Sequence, residues 1–373
     1  MPARNSLVPQ TRPTVLPTAL LVTGLVILPL LGACSGPPPL TACNAVGAVT
    51  PVCEFQNPED LVVDGSGNWL IVSQAPLEDS PGTLIAFRPA DGRKQTLWPS
   101  PRTEASAAPS RGDATCPGIP DQTGFTPHGI DLSEDHRTLF VVNHGGREAV
   151  EIFSVGTASG VPSLTWRGCV LMPESAMMND VAALPAAASG GDDFVVTQMS
   201  SANVSGVFAL LGGTVSGEVF RWSAASGLRP IPGTKGIGPN GVEVAPDGGT
   251  VFFSEWVSRN LVRVALDGSG RSSVPLGFNP DNLTWTNDGR LLAAGQITSA
   301  VEVMGCFGIE GGTCAIASAA ATIHPTTLEV KRIWTHDPAT ATGAASVALE
   351  HKGKIWIGTF SGDRLAWFDK PAP

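Results

Sequence analysis

Short apolar runs alternate with polar turns along most of this 373-residue chain. Leu61-Val62-Val63 and Trp69-Leu70-Ile71-Val72 flank Asp64-Gly65-Ser66-Gly67. Gly241-Val242-Glu243-Val244 and Val251-Phe252-Phe253 flank Pro246-Asp247-Gly248-Gly249. Leu283-Thr284-Trp285 and Leu291-Leu292-Ala293 flank Asn287-Asp288-Gly289, and Thr83 to Phe87 runs into Ala90-Asp91-Gly92. Asp-Gly between β-branched and aromatic runs predicts hairpins. No segment places apolar residues at helical spacing, so the chain reads as all-β. A content of 43 Gly and 32 Pro, with 15% charged residues, agrees with many turns.

Polar pairs or triplets stand at the head of five predicted strands: Glu59-Asp60, Pro127-His128-Gly129, Asn179-Asp180, Asn240-Gly241 and Asp281-Asn282. A weaker sixth, Ser346-Val347, precedes Lys354-Ile355-Trp356-Ile357-Gly358. This spacing suits four-stranded blades with loops of variable length, and six such units read as a six-bladed β-propeller. The inner strand of each blade then begins at the central channel, and residues far apart in sequence converge there. Each pair alone is an ordinary turn dipeptide. Together they are polar side chains that are costly to bury without a partner. Carboxylates and carboxamides with few lysines nearby are what a hard cation such as Ca²⁺ selects. Strand alternation puts adjacent side chains such as Glu59 and Asp60 on opposite sides. Three segments read as insertions: Pro99 to Gly124, Ser200 to Gly217, and Cys306 to Cys314. His136, His324, His336 and His351 read as surface or turn residues.

The N-terminus has a different character. Arg4 and Arg12 precede an uncharged stretch from Thr14 to Ala33 that is rich in Leu, Val and Ala. The stretch ends in Leu31-Gly32-Ala33-Cys34, which resembles the lipobox of bacterial lipoproteins. A membrane-spanning anchor is the competing reading. Pro17, Pro29 and the small residues before the cysteine favour a cleaved signal. The expected organisation is a signal peptide at 1–33, a lipidated tether at 34–50 and a propeller at 51–373. Ser35 after the cysteine points to the periplasmic side of the outer membrane, by the sorting preference of some bacteria. With Cys34 as lipid acceptor, Cys43, Cys53, Cys116, Cys169, Cys306 and Cys314 remain. Their pairing is open, but short loops favour Cys43–Cys53 and Cys306–Cys314, which leaves Cys116–Cys169. An oxidising compartment makes such bridges reasonable. The net charge of −10 argues against nucleic acid as a partner, and nothing here sets the oligomeric state.

Phe125-Thr126-Pro127-His128-Gly129-Ile130-Asp131-Leu132, followed by Leu139-Phe140-Val141-Val142-Asn143-His144, resembles the paraoxonase/arylesterase family in motif and spacing. The resemblance continues through the other polar pairs and covers residues 54 to 370. It implies a six-bladed propeller with two calcium ions that hydrolyses small lactones and aryl esters. By motif, a catalytic calcium takes Glu59, Asn179, Asn240, Asp281 and Asn282. A structural calcium takes Asp60, Asp180 and the backbone carbonyl of Ile130. His128 becomes a general base on water, assisted by His144. Gln296 stands where the family often has a histidine, and Gln74 to Gly82 lacks the family's aromatic, which puts substrate choice in question. Gluconolactonase/regucalcin-like and strictosidine-synthase-like propellers share the architecture without this histidine pair. A non-catalytic, calcium-braced envelope propeller and a sugar lactonase are the alternatives.

Overall fold

The computed structural model describes residues 38–372, except 101–108, 158–159, 175, 187–191, 202–211 and 310. The expected signal peptide and Cys34 lie outside the described residues, as does most of the 200–217 insertion. Six sheets follow one another along the chain, five of them antiparallel with four strands and one with five, whose outermost strand pairs in parallel. The innermost strands are Pro58–Val63, Pro127–Leu132, Met177–Ala183, Pro239–Val244, Asn279–Trp285 and Ala345–His351. Each packs against the next, and the last packs against the first, so they form a closed ring. The expected six-bladed propeller is present. Its last blade is completed by Thr50–Cys53, which pairs with Arg364–Asp369, so the first and last strands of the described residues share one sheet.

The second strand of each blade is buried on both sides, which explains its unbroken apolar runs. Leu70–Gln74, Thr138–Asn143 and Leu291–Gln296 are buried throughout. Aromatic rings fill the wedges between blades. Trp98 stands edge-on to Phe125 and Phe153 between blades one and two, and Phe87 to Phe55 and Trp356 at the closure. Each such ring contributes about 2–3 kcal/mol by burial. The Asp-Gly turns close as expected: the Asp64 carboxylate accepts the N–H groups of Ser66, Asn68 and Trp69, and Gly67 adopts a φ of +66°.

The inserted segments also take definite roles. Arg111–Gly112 adds a fifth strand to blade two, beside Ser163–Leu171. Disulfides join Cys43–Cys53, Cys116–Cys169 and Cys306–Cys314. The expected tether is docked from Leu40 onward. Leu40 pairs with Thr313, and the fully buried Arg364 donates to the carbonyls of Leu40 and Ala42. Two histidines depart from the surface reading. His336 and His351 are both buried. His336 stacks on Trp334 and its Nε2 accepts the N–H groups of Thr340 and Ala341, a local partnership invisible to sequence spacing.

One irregularity recurs in every blade. The inner strand slips by one residue against its neighbour between Pro58 and Asp60, Pro127 and Ile130, Met178 and Val181, Pro239 and Val242, Pro280 and Leu283, and Ala345 and Ala348. Each slip falls on the polar pair. A bulge of this kind breaks the alternation of a regular strand and re-aims its side chains. Glu59 and Asp60 therefore do not simply face opposite ways; both turn toward the channel, one above the other. Aligning the six bulges gives an upper layer of Glu59, His128, Asn179, Asn240, Asp281 and Ser346. The layer below is Asp60, Gly129, Asp180, Gly241, Asn282 and Val347.

The two glycines of the lower layer make room for the neighbouring blade. A β-carbon on Gly129 would stand 2.5 Å from Asp180 Cα and 2.8 Å from the Asn179 carbonyl. Gly129→Ala is expected to destabilise the fold by about 1–3 kcal/mol through overpacking. Gly311→Ala, whose β-carbon meets nothing within 4 Å, serves as the neutral control. Urea denaturation of both variants checks this, and equal midpoints would contradict it.

Candidate metal centre and histidine pair

The upper layer forms the floor of a cavity of about 560 Å³ at one mouth of the channel. Glu59, His128, Asn179, Asn240 and Asp281 all line it. Asn282 Nδ2 donates to Glu59 Oε1 at 2.8 Å from just beneath. His128 Nε2 lies 3.9 Å from the same oxygen and 3.2 Å from Asn179 Nδ2. The Asn240 amide bonds the Asp281 carboxylate, and Gln296 Nε2 donates to Asp281 Oδ2 at 2.7 Å. The five residues expected at the first ion are thus brought together from four blades.

Their oxygens are largely unsatisfied. Glu59 Oε2, Asn179 Oδ1, Asn240 Oδ1 and Asn282 Oδ1 are buried and accept no hydrogen bond. Each such orphan costs about 1–3 kcal/mol in a low-dielectric interior. Four of them on neighbouring residues fit a hard cation, which takes carboxylate and carbonyl oxygen. Among the described residues, no three His, Cys, Asp or Glu side chains gather around one point. The donor set here is instead two carboxylates and three carboxamides.

Below it, Asp60 and Asp180 reach across the two glycines. Asp60 Oδ2 accepts the N–H of Ile130, and Asp180 Oδ2 accepts the N–H of Val242, each at 2.8 Å. Asp131 Oδ2 accepts the N–H of Ala183 at 2.7 Å in the same manner. Carboxylates of one inner strand therefore staple the backbone of the next. Asp60 and Ile130 meet through the Ile130 N–H, whereas the group expected as a ligand was the Ile130 carbonyl. Asp131 and Glu243, three positions after the anchors of blades two and four, extend the acidic column. Aligning the six anchors would have shown both.

Burial, ahead of every other cause, raises the pKa of all six channel acids. Asp60 moves from 3.8 to about 8, and Asp131 and Asp281 to about 7. Glu59, Asp180 and Glu243 rise well above their ordinary values, with neighbouring carboxylates adding to the effect. Among the described residues, none of the six has a lysine or arginine as salt-bridge partner. Glu59 has only the imidazole of His128.

His128 and His144 are adjacent, their rings edge to face with centroids 5.1 Å apart. Burial first, then His144, lowers the His128 pKa from 6.5 to about 3, so its ring is neutral near pH 7. The Asn179 Nδ2 can only donate, so in this contact Nε2 of His128 accepts. His144 Nδ1 lies 2.9 Å from Glu148, and Glu148 also accepts the N–H of Met178 at 2.6 Å. Glu148 escaped the sequence reading; its signal is only its position four residues after His144 in a turn. Gln296, read as a departure, proves central: it donates to Asp281 and to the Ala345 carbonyl, and accepts the indole N–H of Trp256.

The upper walls are mostly apolar. Leu77, Met177, Met199, Trp256, Met304 and Phe307 line the cavity above the polar floor.

No protein-family model matches this chain, and no curated protein matches its sequence. Solved structures share the fold. A gluconolactonase from Xanthomonas campestris has 17% identity and a TM-score of 0.51, over 90% of this chain and 95% of that one. A luciferin-regenerating enzyme has 12% identity and a TM-score of 0.53, over 85% and 94%. A protein of unknown function from Bacteroides thetaiotaomicron has 11% identity and a TM-score of 0.54, over 89% and 75%. The chain thus has gluconolactonase-like propellers among its structural neighbours, a likeness of fold.

The acid column makes stability depend on pH in a predictable direction. Asp60, Asp131 and Asp281 have folded pKa values raised above the unfolded 3.8. Without a cation, their contribution is full below about pH 4 and is lost as pH rises through about 7 to 8. In EDTA, the melting temperature attributable to these groups is expected to fall between pH 5 and pH 8. Added Ca²⁺ is expected to restore it, by more at pH 8 than at pH 5. Scanning calorimetry checks this; a calcium shift equal at both pH values would contradict it.

Proposed function

We propose that this protein is a calcium-dependent hydrolase of lactones and aryl esters. The observation that carries the reading is the group of four orphaned oxygens on the cavity floor, beside a histidine held neutral. Glu59, Asn179, Asn240, Asp281 and Asn282 would hold the catalytic ion; Asp60, Asp180 and the Ile130 carbonyl would hold a structural one. When bound at such a site, Ca²⁺ supplies Lewis-acid polarisation of a carbonyl. Three carboxamides among five donors leave the ion less neutralised than carboxylates alone would.

The protein's own side chains do the rest. His128 presents an unprotonated Nε2 to the floor of the cavity and takes a proton from water. His144, fixed through Nδ1 by Glu148, stands against the His128 ring and holds its orientation, assisting it as base. Gln296 holds the Asp281 carboxylate in one orientation. The apolar walls exclude water from the ester's remaining substituents. The fold shared with gluconolactonase-like propellers supports lactone chemistry in general. The apolar walls favour lactones and esters with hydrocarbon substituents over polyhydroxylated sugar lactones. We also read Cys34 as a lipid acceptor that holds the protein on the periplasmic side of a bacterial outer membrane.

Hydrolysis of δ-lactones, phenyl acetate and an aldonolactone, with and without EDTA, tests the reading. Activity on the first two, abolished by chelation and restored by Ca²⁺, is expected. His128→Gln should lower kcat by about 10²–10⁴. Glu148→Gln should lower it less and move the pH profile, since it acts through His144. Activity unchanged by thorough chelation would overturn the mechanism. If no lactone or ester is turned over and both variants alter only the melting temperature, the ions brace a non-catalytic propeller.

A further inference from the structure

The polar side chains in the walls of the cavity are almost all engaged within the protein. Asn57 donates from Nδ2 to the Pro76 carbonyl and accepts the N–H of Gly362 through Oδ1. Ser361 Oγ donates to the Cys306 carbonyl, and the indole N–H of Trp256 is taken by Gln296. The exception is the Glu78 carboxylate, which has no hydrogen bond or ion pair among the described residues. The lining includes neither lysine nor arginine. Arg259 donates to the Thr298 carbonyl just before the Ala300–Met304 helix, and there the Glu302 carboxylate, bonded to the Thr298 hydroxyl, carries the opposite charge.

A built turn presents this carboxylate. Leu77 and Ser80 exchange backbone hydrogen bonds around Glu78 and Asp79, and Gln56 Nε2 donates to the carbonyls of Ala75 and Pro81 at the two ends of the loop. Three aromatic rings, those of Trp256, Phe307 and Phe360, line the same cavity. The two phenylalanine rings stand with centroids 6.0 Å apart, and Phe307 is 62% exposed. With its N–H engaged, Trp256 offers a ligand its ring rather than a donor. The face of an aromatic ring attracts a cation electrostatically. On the floor, Glu59 and Asp281 formally balance the charge of one divalent ion. The walls therefore set the field that the remote end of a substrate meets, and that field is negative.

We propose that the cavity selects esters and lactones that carry a methylated, permanently cationic ammonium group on a hydrocarbon arm. The reacting end of this assignment rests on the hydrolase reading above, whereas the ammonium site is made by the walls alone. A quaternary ammonium has no N–H group to satisfy, which suits walls whose side-chain acceptors, apart from Glu78, are already engaged. Its charge is drawn by the Glu78 carboxylate and by the ring faces. Its methyl groups pack against the apolar surface that Leu77, Met177 and Met304 supply. An anionic substituent would find no cation in these walls, and a sugar hydroxyl no free side-chain donor.

Choline and neohexyl alcohol differ only in a cationic nitrogen for a carbon, so calorimetric titration of the protein with each, in calcium buffer, isolates the charge. Choline is expected to bind about tenfold more tightly. Glu78→Gln and Phe307→Leu should each lower that ratio by about threefold, and Glu78→Lys should abolish the preference. Both side chains are exposed, so melting temperatures should stay unchanged. Acetylcholine and neohexyl acetate should show the same ratio in kcat/KM. Equal affinity for the two alcohols, or a ratio that Glu78→Lys leaves intact, would overturn the proposal. Calcium-dependent turnover of both acetates without preference would remove the ammonium site and leave the hydrolase standing. A choline preference that Glu78→Lys abolishes, with no turnover of any ester, would uphold the ammonium site and overturn the hydrolase.

Discussion

Negative charge that no cation of the protein neutralises governs this propeller. Six carboxylates point into a channel closed by six inner strands, and burial pushes every one of them toward its protonated form. A protein can relieve such a column with arginine and lysine, and among the described residues none of these pairs with it. Arg147 pairs with Glu151 and Arg271 with Glu255, away from the column. Two ways remain to relieve the column. Backbone N–H groups of the next blade satisfy Asp60, Asp131 and Asp180 from the side, and the remaining acceptors are left for protons or for a metal. Fold closure and the proposed ion sites therefore draw on the same inner strands. An acid removed from the lower layer would lose a staple between blades as well as a charge.

The bulges make this sharing possible. In a regular strand, Glu59 and Asp60 could not both address the channel. One extra residue in each inner strand lets the upper side chain reach the cavity while the lower one reaches the neighbouring backbone. Glycine at positions 129 and 241 completes the arrangement, since any β-carbon there would overlap the adjacent blade. The alternation of Asp or Asn with Gly or Val around the lower layer is thus a packing requirement as much as a chemical one. It also explains why the upper layer is freer to vary. His128 occupies a place in the ring that four other blades give to oxygen donors.

Periodicity made the fold legible, because a propeller repeats one unit and each unit announced itself with a polar pair and an Asp-Gly turn. The convergence of Glu59, Asn179, Asn240, Asp281 and Asn282 followed from that repeat without knowledge of any contact. The bulges did not follow, since register slips leave no mark on a single strand's composition. Asp131 and Glu243 were missed for a related reason: alternation placed them in doubt, while the bulge turns them inward. Glu148 and the burial of His336 and His351 depend on turn geometry and local hydrogen bonds, which spacing alone does not encode.

Floor and walls of the cavity come from different parts of the repeat, and this separates what can change from what cannot. The floor is made by inner strands locked to one another through backbone hydrogen bonds. Much of the walls comes from loops, Ala75 to Glu78 between the second and third strands of blade one and the disulfide-tied segment of blade five, with Met177 and Met199 added from strand ends of blade three. Gln296 and Trp256 are the junction, because Gln296 holds a floor carboxylate with its nitrogen and a wall indole with its oxygen. A change in the walls that tilted Trp256 would be felt at Asp281 through one side chain. Under the proposed function, substrate range would be set largely by the wall loops and reactivity by the inner strands. Gln296 is the position where the two are coupled.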